Sequence, residues 1–244
     1  MSTPTLVVFD FDWSLINENS DTYVIEQLGG KFLYNELKLL QRGEYSERWT
    51  ELMDLSLCKL YDAGVSVAQL DACLQATPVF GETLEAARYA AACGAELAIL
   101  SDANTHYIEI CLQKYGLAET FSRRATNPSL IEGGRLRITP YQPSSDPHQC
   151  PLCPTNLCKG GVLTQWLQEG VQEGQEAQRR VVYIGDGGGD FCPSMRLKPT
   201  DLVLCRRDWT LHKKCVGAGA AFRATLLPWS DGAELLAIFR EHIK

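Results

Sequence analysis

Short, unbroken apolar runs rich in β-branched residues recur along the chain, each followed by polar residues. Thr5-Leu-Val-Val-Phe9, Glu96-Leu-Ala-Ile-Leu100, Arg180-Val-Val-Tyr-Ile184 and Asp201-Leu-Val-Leu-Cys205 fit this description. A strand with one face in water alternates apolar and polar positions, whereas an unbroken run marks a strand covered on both faces, as in a parallel sheet. Helical patterns with glycine stops stand between the runs: Glu82 to Cys93 before Gly94, Thr105 to Tyr115 before Gly116, and Lys159 to Glu169 before Gly170. Strands alternating with helices predict an α/β fold built on a parallel sheet.

Two segments break the alternation. Asp21 to about Gln75 holds several helical patterns and no strand, so it reads as a helical cap inserted over the strand ends. The expected domains are a core over 1–20 and 76–244 and a cap over 21–75. Asn127 to Tyr141 reads as a β-hairpin with its turn at Glu132-Gly133-Gly134. Gly170 to Arg180 is rich in Gln and Glu and reads as a frayed helix end or loop.

Charge and length narrow the function classes. The chain has 244 residues and a net charge of -7, which argues against a nucleic-acid partner because phosphates select clustered Lys and Arg. No apolar run is long enough to span a bilayer, and Met1 to Thr5 lacks the basic start of a secretory signal. A cytoplasmic protein with neither a membrane nor a nucleic-acid partner is expected. In that setting Cys58, Cys73, Cys93, Cys111, Cys192, Cys205 and Cys215 read as small buried hydrophobes rather than a disulfide framework.

Candidate chemistry follows the predicted strands. Asp10-Phe-Asp12-Trp-Ser14 places two carboxylates just after the first run, where they suit a hard cation such as Mg²⁺ or nucleophilic attack on phosphorus. Ser101-Asp102-Ala-Asn104 follows the second run and offers a hydroxyl and strand-end amides to phosphate oxygens, although the same residues serve as helix N-caps. Lys159 opens a helix ahead of two glycines and can neutralise a phosphoryl group. Gly185-Asp186-Gly-Gly-Gly-Asp190 sets two carboxylates in a glycine frame, Asp186 to complete a metal site and Asp190 to hold a metal-bound water. His148-x-Cys150-x-x-Cys153-x-x-x-x-Cys158 can supply four zinc ligands, or form a loop of reduced, redox-sensitive thiols.

The order Asp-x-Asp, Ser, Lys, Gly-Asp-x-x-x-Asp along the chain resembles the haloacid dehalogenase superfamily. Asp10 to Asp21, Ser101 to Asn104, Cys158-Lys-Gly160 and Asp190-Phe-Cys-Pro193 look like its phosphoethanolamine/phosphocholine phosphatase family, which includes pyridoxal phosphate phosphatases. Ser14 stands where the superfamily commonly has Thr, and Gly189 where relatives often carry Asn.

The resemblance implies a Rossmannoid core with a small helical cap and a phosphatase acting on a small-molecule phosphate ester. It implies Asp10 as nucleophile and Asp12 as general acid and base. Mg²⁺ is implied on Asp10, on Asp12 through its backbone carbonyl, and on Asp186, with Asp190 behind it and Ser101 and Lys159 on the phosphoryl oxygens. Asp21 and Asp102 add acid beyond what a metal needs, which fits a cationic leaving group such as choline or ethanolamine; for Asp21 a helix N-cap is the alternative. Two other functions compete: a phosphotransferase or mutase on the same site, and a zinc-binding interaction module on a degenerate phosphatase fold, against which the intact acids and lysine speak. The tryptophans read as packing, Trp13 excepted because it lies between Asp12 and Ser14.

Overall fold

The computed structural model describes residues 4–143, 145–169 and 179–244. Six strands form one parallel sheet in the order β3-β2-β1-β6-β7-β8. They are β1 (Thr5–Phe9), β2 (Glu96–Asn104), β3 (Phe121–Asn127), β6 (Arg180–Gly185), β7 (Leu202–Arg206) and β8 (Thr225–Trp229). The four apolar runs are the four central strands. Their side chains feed two cores, one on each face of the sheet: Val7, Phe9, Ile99, Val182 and Leu204 on one side, Leu6, Val8, Leu100, Val181 and Val203 on the other. This two-sided burial is why the runs lack alternation.

Sequence periodicity did not give the edge strands β3 and β8. β3 reads Phe-Ser-Arg-Arg-Ala-Thr-Asn and exposes part of its length, and β8 carries Pro228, tolerated because no further strand pairs beyond it. Helices α4 (Gly81–Ala92), α5 (Thr105–Lys114), α6 (Lys159–Gln168), α7 (Phe191–Ser194), α8 (Thr210–Gly217) and α9 (Gly232–His242) make the crossovers and cover the faces. The hairpin forms as expected from β4 (Ser129–Glu132) and β5 (Arg135–Ile138). Most of the Gln/Glu-rich stretch, 170–178, lies outside the described residues.

Between β1 and α4 the chain forms three helices, α1 (Ser20–Arg42), α2 (Trp49–Asp62) and α3 (Val67–Gln75). The first bends at Gly30, whose φ is 66°. The helical group is tied to the hairpin through Asp54 on α2, which accepts bonds from Arg135 and Arg137 and from the Ile138 amide. Among the described residues no helix is long and apolar enough to cross a membrane.

Candidate active site

The polar residues after the central strands meet at the carboxyl edge of the sheet, where open α/β sheets build their sites. At the end of β1 the Asp10 amide still donates to the Ile184 carbonyl at 2.8 Å, and the Asp10 carboxylate accepts from the Phe11 amide at 2.7 Å. The chain then turns sharply. Asp12 is extended, Trp13 is left-handed (φ 55°, ψ 8°), and the amides of Leu15 and Ile16 bond back to the carbonyls of Asp10 and Phe11. A bulky residue at positive φ costs on the order of 1–3 kcal/mol and persists only when its surroundings hold it.

Arg206, at the end of β7, supplies that restraint. Its Nε donates to the Trp13 carbonyl at 2.8 Å, Nη2 donates to Asn17 Oδ1, and the guanidinium lies 4.4 Å from the centre of the Trp229 ring. Burial lowers the Arg206 pKa, with the charges of Asp186 and Asp231 opposing.

The turn delivers Asp12 to the start of α1. Its carboxylate accepts from the Ser20 amide at 2.9 Å and from Asn19 Nδ2 at 3.2 Å. Burial and then the charge of Asp21 push its carboxyl well above the usual range, with the Ser20 amide opposing. A carboxyl whose pKa is raised is suited to act as a proton donor.

Lys159 is buried at the first position of α6. Its ammonium lies 2.8 Å from both Asp10 Oδ2 and Asp190 Oδ1. Burial opposes that charge, but Asp10 and Asp190 outweigh it and hold Lys159 protonated. Asp190 accepts four bonds, from Lys159, the Tyr183 hydroxyl and the amides of Asp186 and Gly187. Burial works against its ionisation, yet Lys159 and these donors keep its pKa below the ordinary carboxylate value. The close approach needs Gly185, because a Cβ there would sit 2.6 Å from Asp190 Cγ. The carboxylates of Asp10, Asp186 and Asp190 each offer an oxygen within 4.8 Å of the others. Burial and the charge of Asp190 push Asp186 up to about 8, and the same two causes raise Asp10, with Lys159 opposing in both.

Ser101 lies within β2, which continues through a register shift to Asn104. Such irregularities re-aim side chains beside sites. Ser101 is fully buried and its Oγ accepts from the Ala103 amide. Asn104 performs the N-cap role that sequence left open, bonding the Tyr107 amide and leaving Ser101 and Asp102 free of it.

Asp12 and Asp102 line a cleft of about 550 Å³ with Glu18, Asp21 and Glu26, walled by Trp13, Tyr23, Tyr34, Tyr45 and Trp49. The cap of α1 is Asn19, not Asp21. Asp21 instead turns inward and accepts from Trp49 Nε1 at 2.7 Å. Burial raises its carboxyl to about 7, with Trp49 opposing and Asp102 adding to the rise. Trp49, expected to be packing, is therefore part of the cleft wall.

The zinc-ligand expectation needs one correction. Cys150, Cys153 and Cys158 converge, but their fourth partner is Cys192 on α7 rather than His148. Both ring nitrogens of His148 are taken by backbone: Nε2 donates to the Pro154 carbonyl at 2.8 Å and Nδ1 accepts from the Cys150 amide at 3.2 Å. The histidine shapes the knuckle instead of facing its centre. Sequence reasoning also passed over Arg206 and Tyr183. A buried-strand tyrosine and an arginine closing an apolar run were the available signals; the Trp13 partner of Arg206 lies 193 residues away, whereas Asp190 lies seven from Tyr183.

Comparison with known proteins finds relatives along nearly the whole chain. The model of the family described as "Putative Phosphatase" matches residues 5–243. A thiamine phosphate phosphatase-like protein of Arabidopsis thaliana is 36% identical, covering 94% of this chain and 91% of its own. Inorganic pyrophosphatase 2 of the same plant is 34% identical over 98% and 83%. The human phosphoethanolamine/phosphocholine phosphatase is 31% identical over 98% and 89%. In structure, a substrate-bound phosphoserine phosphatase superposes with a TM-score of 0.60 at 14% identity, covering 98% of this chain and 99% of its own. The chain belongs to the Putative Phosphatase family, is a phosphatase, and has a haloacid dehalogenase-like fold.

Proposed function

We propose that this phosphatase hydrolyses small phosphate monoesters whose leaving group is positively charged, such as phosphocholine and phosphoethanolamine, through an aspartyl-phosphate on Asp10. The observation that carries the substrate reading is the wall beside Asp12, where Glu18, Asp21, Glu26 and Asp102 alternate with Trp13, Tyr23, Tyr34, Tyr45 and Trp49. Acids near a phosphate dianion repel it unless the rest of the substrate brings a cation, and aromatic faces attract quaternary ammonium groups. Lys38, the one basic side chain among the described residues of that wall, lies over the Tyr34 ring at 5.3 Å. The ester groups in the names of the human and Arabidopsis relatives, phosphocholine, phosphoethanolamine and thiamine phosphate, share a cationic leaving group, which supports the reading. Pyridoxal 5′-phosphate and pyrophosphate lack one and serve as the contrasting substrates.

The helices α1–α3 act as the cap in this reading, over a core formed by the rest of the chain. Asp10 attacks phosphorus, the P–O bond to the leaving group breaks, and Asp12 gives its proton to the departing oxygen. Asp12 then takes a proton from water, whose oxygen attacks phosphorus and releases phosphate from Asp10. Lys159 and Ser101 hold phosphoryl oxygens in both steps, and the Lys159 charge opposes the burial that raises the Asp10 carboxyl.

The acids suit Mg²⁺: with Asp190 saturated by four donors, Asp10 and Asp186 retain free lone pairs, and a single ammonium does not balance three carboxylates. Asp10, Asp186 and the Asp12 carbonyl would hold the ion, with Asp190 fixing Lys159 and the Asp186 segment beside it. When bound it supplies positive charge to the phosphoryl oxygens.

The test is phosphate release from phosphocholine, phosphoethanolamine, thiamine phosphate, phosphoserine, pyridoxal 5′-phosphate and pyrophosphate, with Mg²⁺ and with chelator. The cationic esters should have the highest kcat/KM. A preference for pyrophosphate or phosphoserine would overturn the substrate reading and leave the phosphatase assignment standing.

A further inference from the structure

A second ligating constellation lies beside the active site and plays no part in the chemistry above. Cys150 and Cys153 stand on the loop between β5 and α6, Cys158 caps α6, and Cys192 comes from α7. One Sγ from each lies within 4.8 Å of all the others, and the Cys150 and Cys192 sulfurs are 3.5 Å apart. Four thiolates around one tetrahedral ion with bonds of about 2.3 Å are separated by roughly 3.8 Å. All ten cysteines are free thiols. The four converge on one point, a geometry that suits a shared ion better than two disulfides.

The surroundings are those of a metal knuckle. The Gly161 amide donates to Cys158 Sγ at 3.3 Å, and Arg196 Nη2 lies 4.0 Å from the same sulfur, so the excess negative charge of a tetrathiolate has a donor and a cation beside it. Gly160 lets α6 reach Cys192, since a Cβ there would lie 2.5 Å from Cys192 Sγ. His148 braces the loop through its two backbone bonds.

We propose that Cys150, Cys153, Cys158 and Cys192 bind one structural Zn²⁺, which clips the loop after the hairpin to the starts of α6 and α7. The ion belongs to a soft, closed, four-sulfur site, distinct in chemistry from the oxygen site at Asp10 and Asp186. Cys158 immediately precedes Lys159, and Cys192 follows Asp190 by two residues. The clip therefore fixes, from outside, both chain segments that carry the buried Lys159–Asp190 ion pair.

The experiment uses the full chain, purified reduced and without a histidine tag. Elemental analysis should find one zinc per chain. Replacement by Co²⁺ should give the sulfur-to-metal charge-transfer and intense visible bands of a tetrahedral thiolate site. Cys153→Ser and Cys192→Ser should lose the stoichiometric zinc and those bands. Cys58→Ser, whose thiol bonds Asp62 on α2, should keep them. Asp10→Asn should also keep one zinc, which separates this site from the carboxylates, and a zinc chelator should lower the melting temperature of the wild type. If a cysteine variant fails to fold, the wild-type metal content and Co²⁺ spectrum decide alone. Reduced, folded protein that carries no zinc and gives no tetrahedral Co²⁺ spectrum would overturn the proposal. So would isolation under reducing conditions with these cysteines disulfide-linked, or full zinc retention in Cys192→Ser.

Discussion

The carboxylate cluster and the cysteine cluster meet at the segments of Lys159 and Asp190, yet they are opposite in chemistry. Asp10, Asp186 and Asp190 gather hard oxygens at the strand tips around one buried ammonium. Cys150, Cys153, Cys158 and Cys192 gather soft sulfurs on the outer side of α6 and α7, two buried and two half-buried. The first cluster concentrates negative charge that burial disfavours, so it is poised to take up cations and phosphate. The second meets a different need: the loop between β5 and α6 carries five prolines, and the clip ties its end to α7. Putting the reactive charges on one side and the covalent-like clip on the other lets the site be strained without the segments drifting.

Substitutions can break that contrast. The largest effect is expected for Asp10→Asn, which should remove turnover by at least about 10⁴-fold, as for a lost nucleophile, while zinc content stays unchanged. Asp12→Asn should cost roughly 10²- to 10⁴-fold in single-turnover cleavage of phosphocholine. It should cost less with an aryl phosphate, whose leaving oxygen needs no proton; equal losses on both esters would argue against Asp12 as the acid. Lys159→Met leaves Asp10 and Asp190 buried without their cation and should destabilise the Mg²⁺-free protein by about 3–5 kcal/mol in urea unfolding. Added Mg²⁺ should recover part of that loss, and an unchanged midpoint would contradict the role given to the ion pair.

Smaller effects sharpen the reading of the cleft. Trp49→Leu should raise KM for phosphocholine roughly 2- to 30-fold, the range of a cation–π contact. The same change should leave KM nearly constant for the neutral ester in which carbon replaces the choline nitrogen. Asp21 provides a pH signature. Burial raises its carboxyl from 3.8 to about 7. The folded state thus holds this proton more tightly than the unfolded chain, so its contribution to stability falls as pH rises from about 4 to 7 and is flat above. Substrate binding runs the other way: a cationic leaving group prefers ionised Asp21, so KM for phosphocholine should fall as pH rises through 7. Asp21→Asn should flatten both profiles, and a KM trend that survives the substitution would assign the titration elsewhere.

The central strands and the order of the acidic motifs were legible because they are local: an apolar run and the residues that follow it lie within a few positions. β3 and β8 escaped because edge strands need not be apolar on both faces. What joins distant segments was also hidden. Arg206 against Trp13, Trp49 against Asp21 and Cys192 among the knuckle cysteines are pairings that only the assembled sheet and its helices create. His148 shows the converse, a residue with suitable spacing whose ring is spent on backbone bonds. For Asp21 the helix-cap alternative that sequence left open falls away, because Asn19 takes that role two residues earlier.

The most direct test of the central claim is to quench turnover of a radiolabelled phosphate ester in acid and map the label. The account predicts an acid-stable, hydroxylamine-sensitive acyl phosphate on the peptide that contains Asp10, formed with Mg²⁺ and absent from Asp10→Asn. Rapid turnover of the ester with no label on the protein at any quench time, or label on a peptide lacking Asp10, would contradict it.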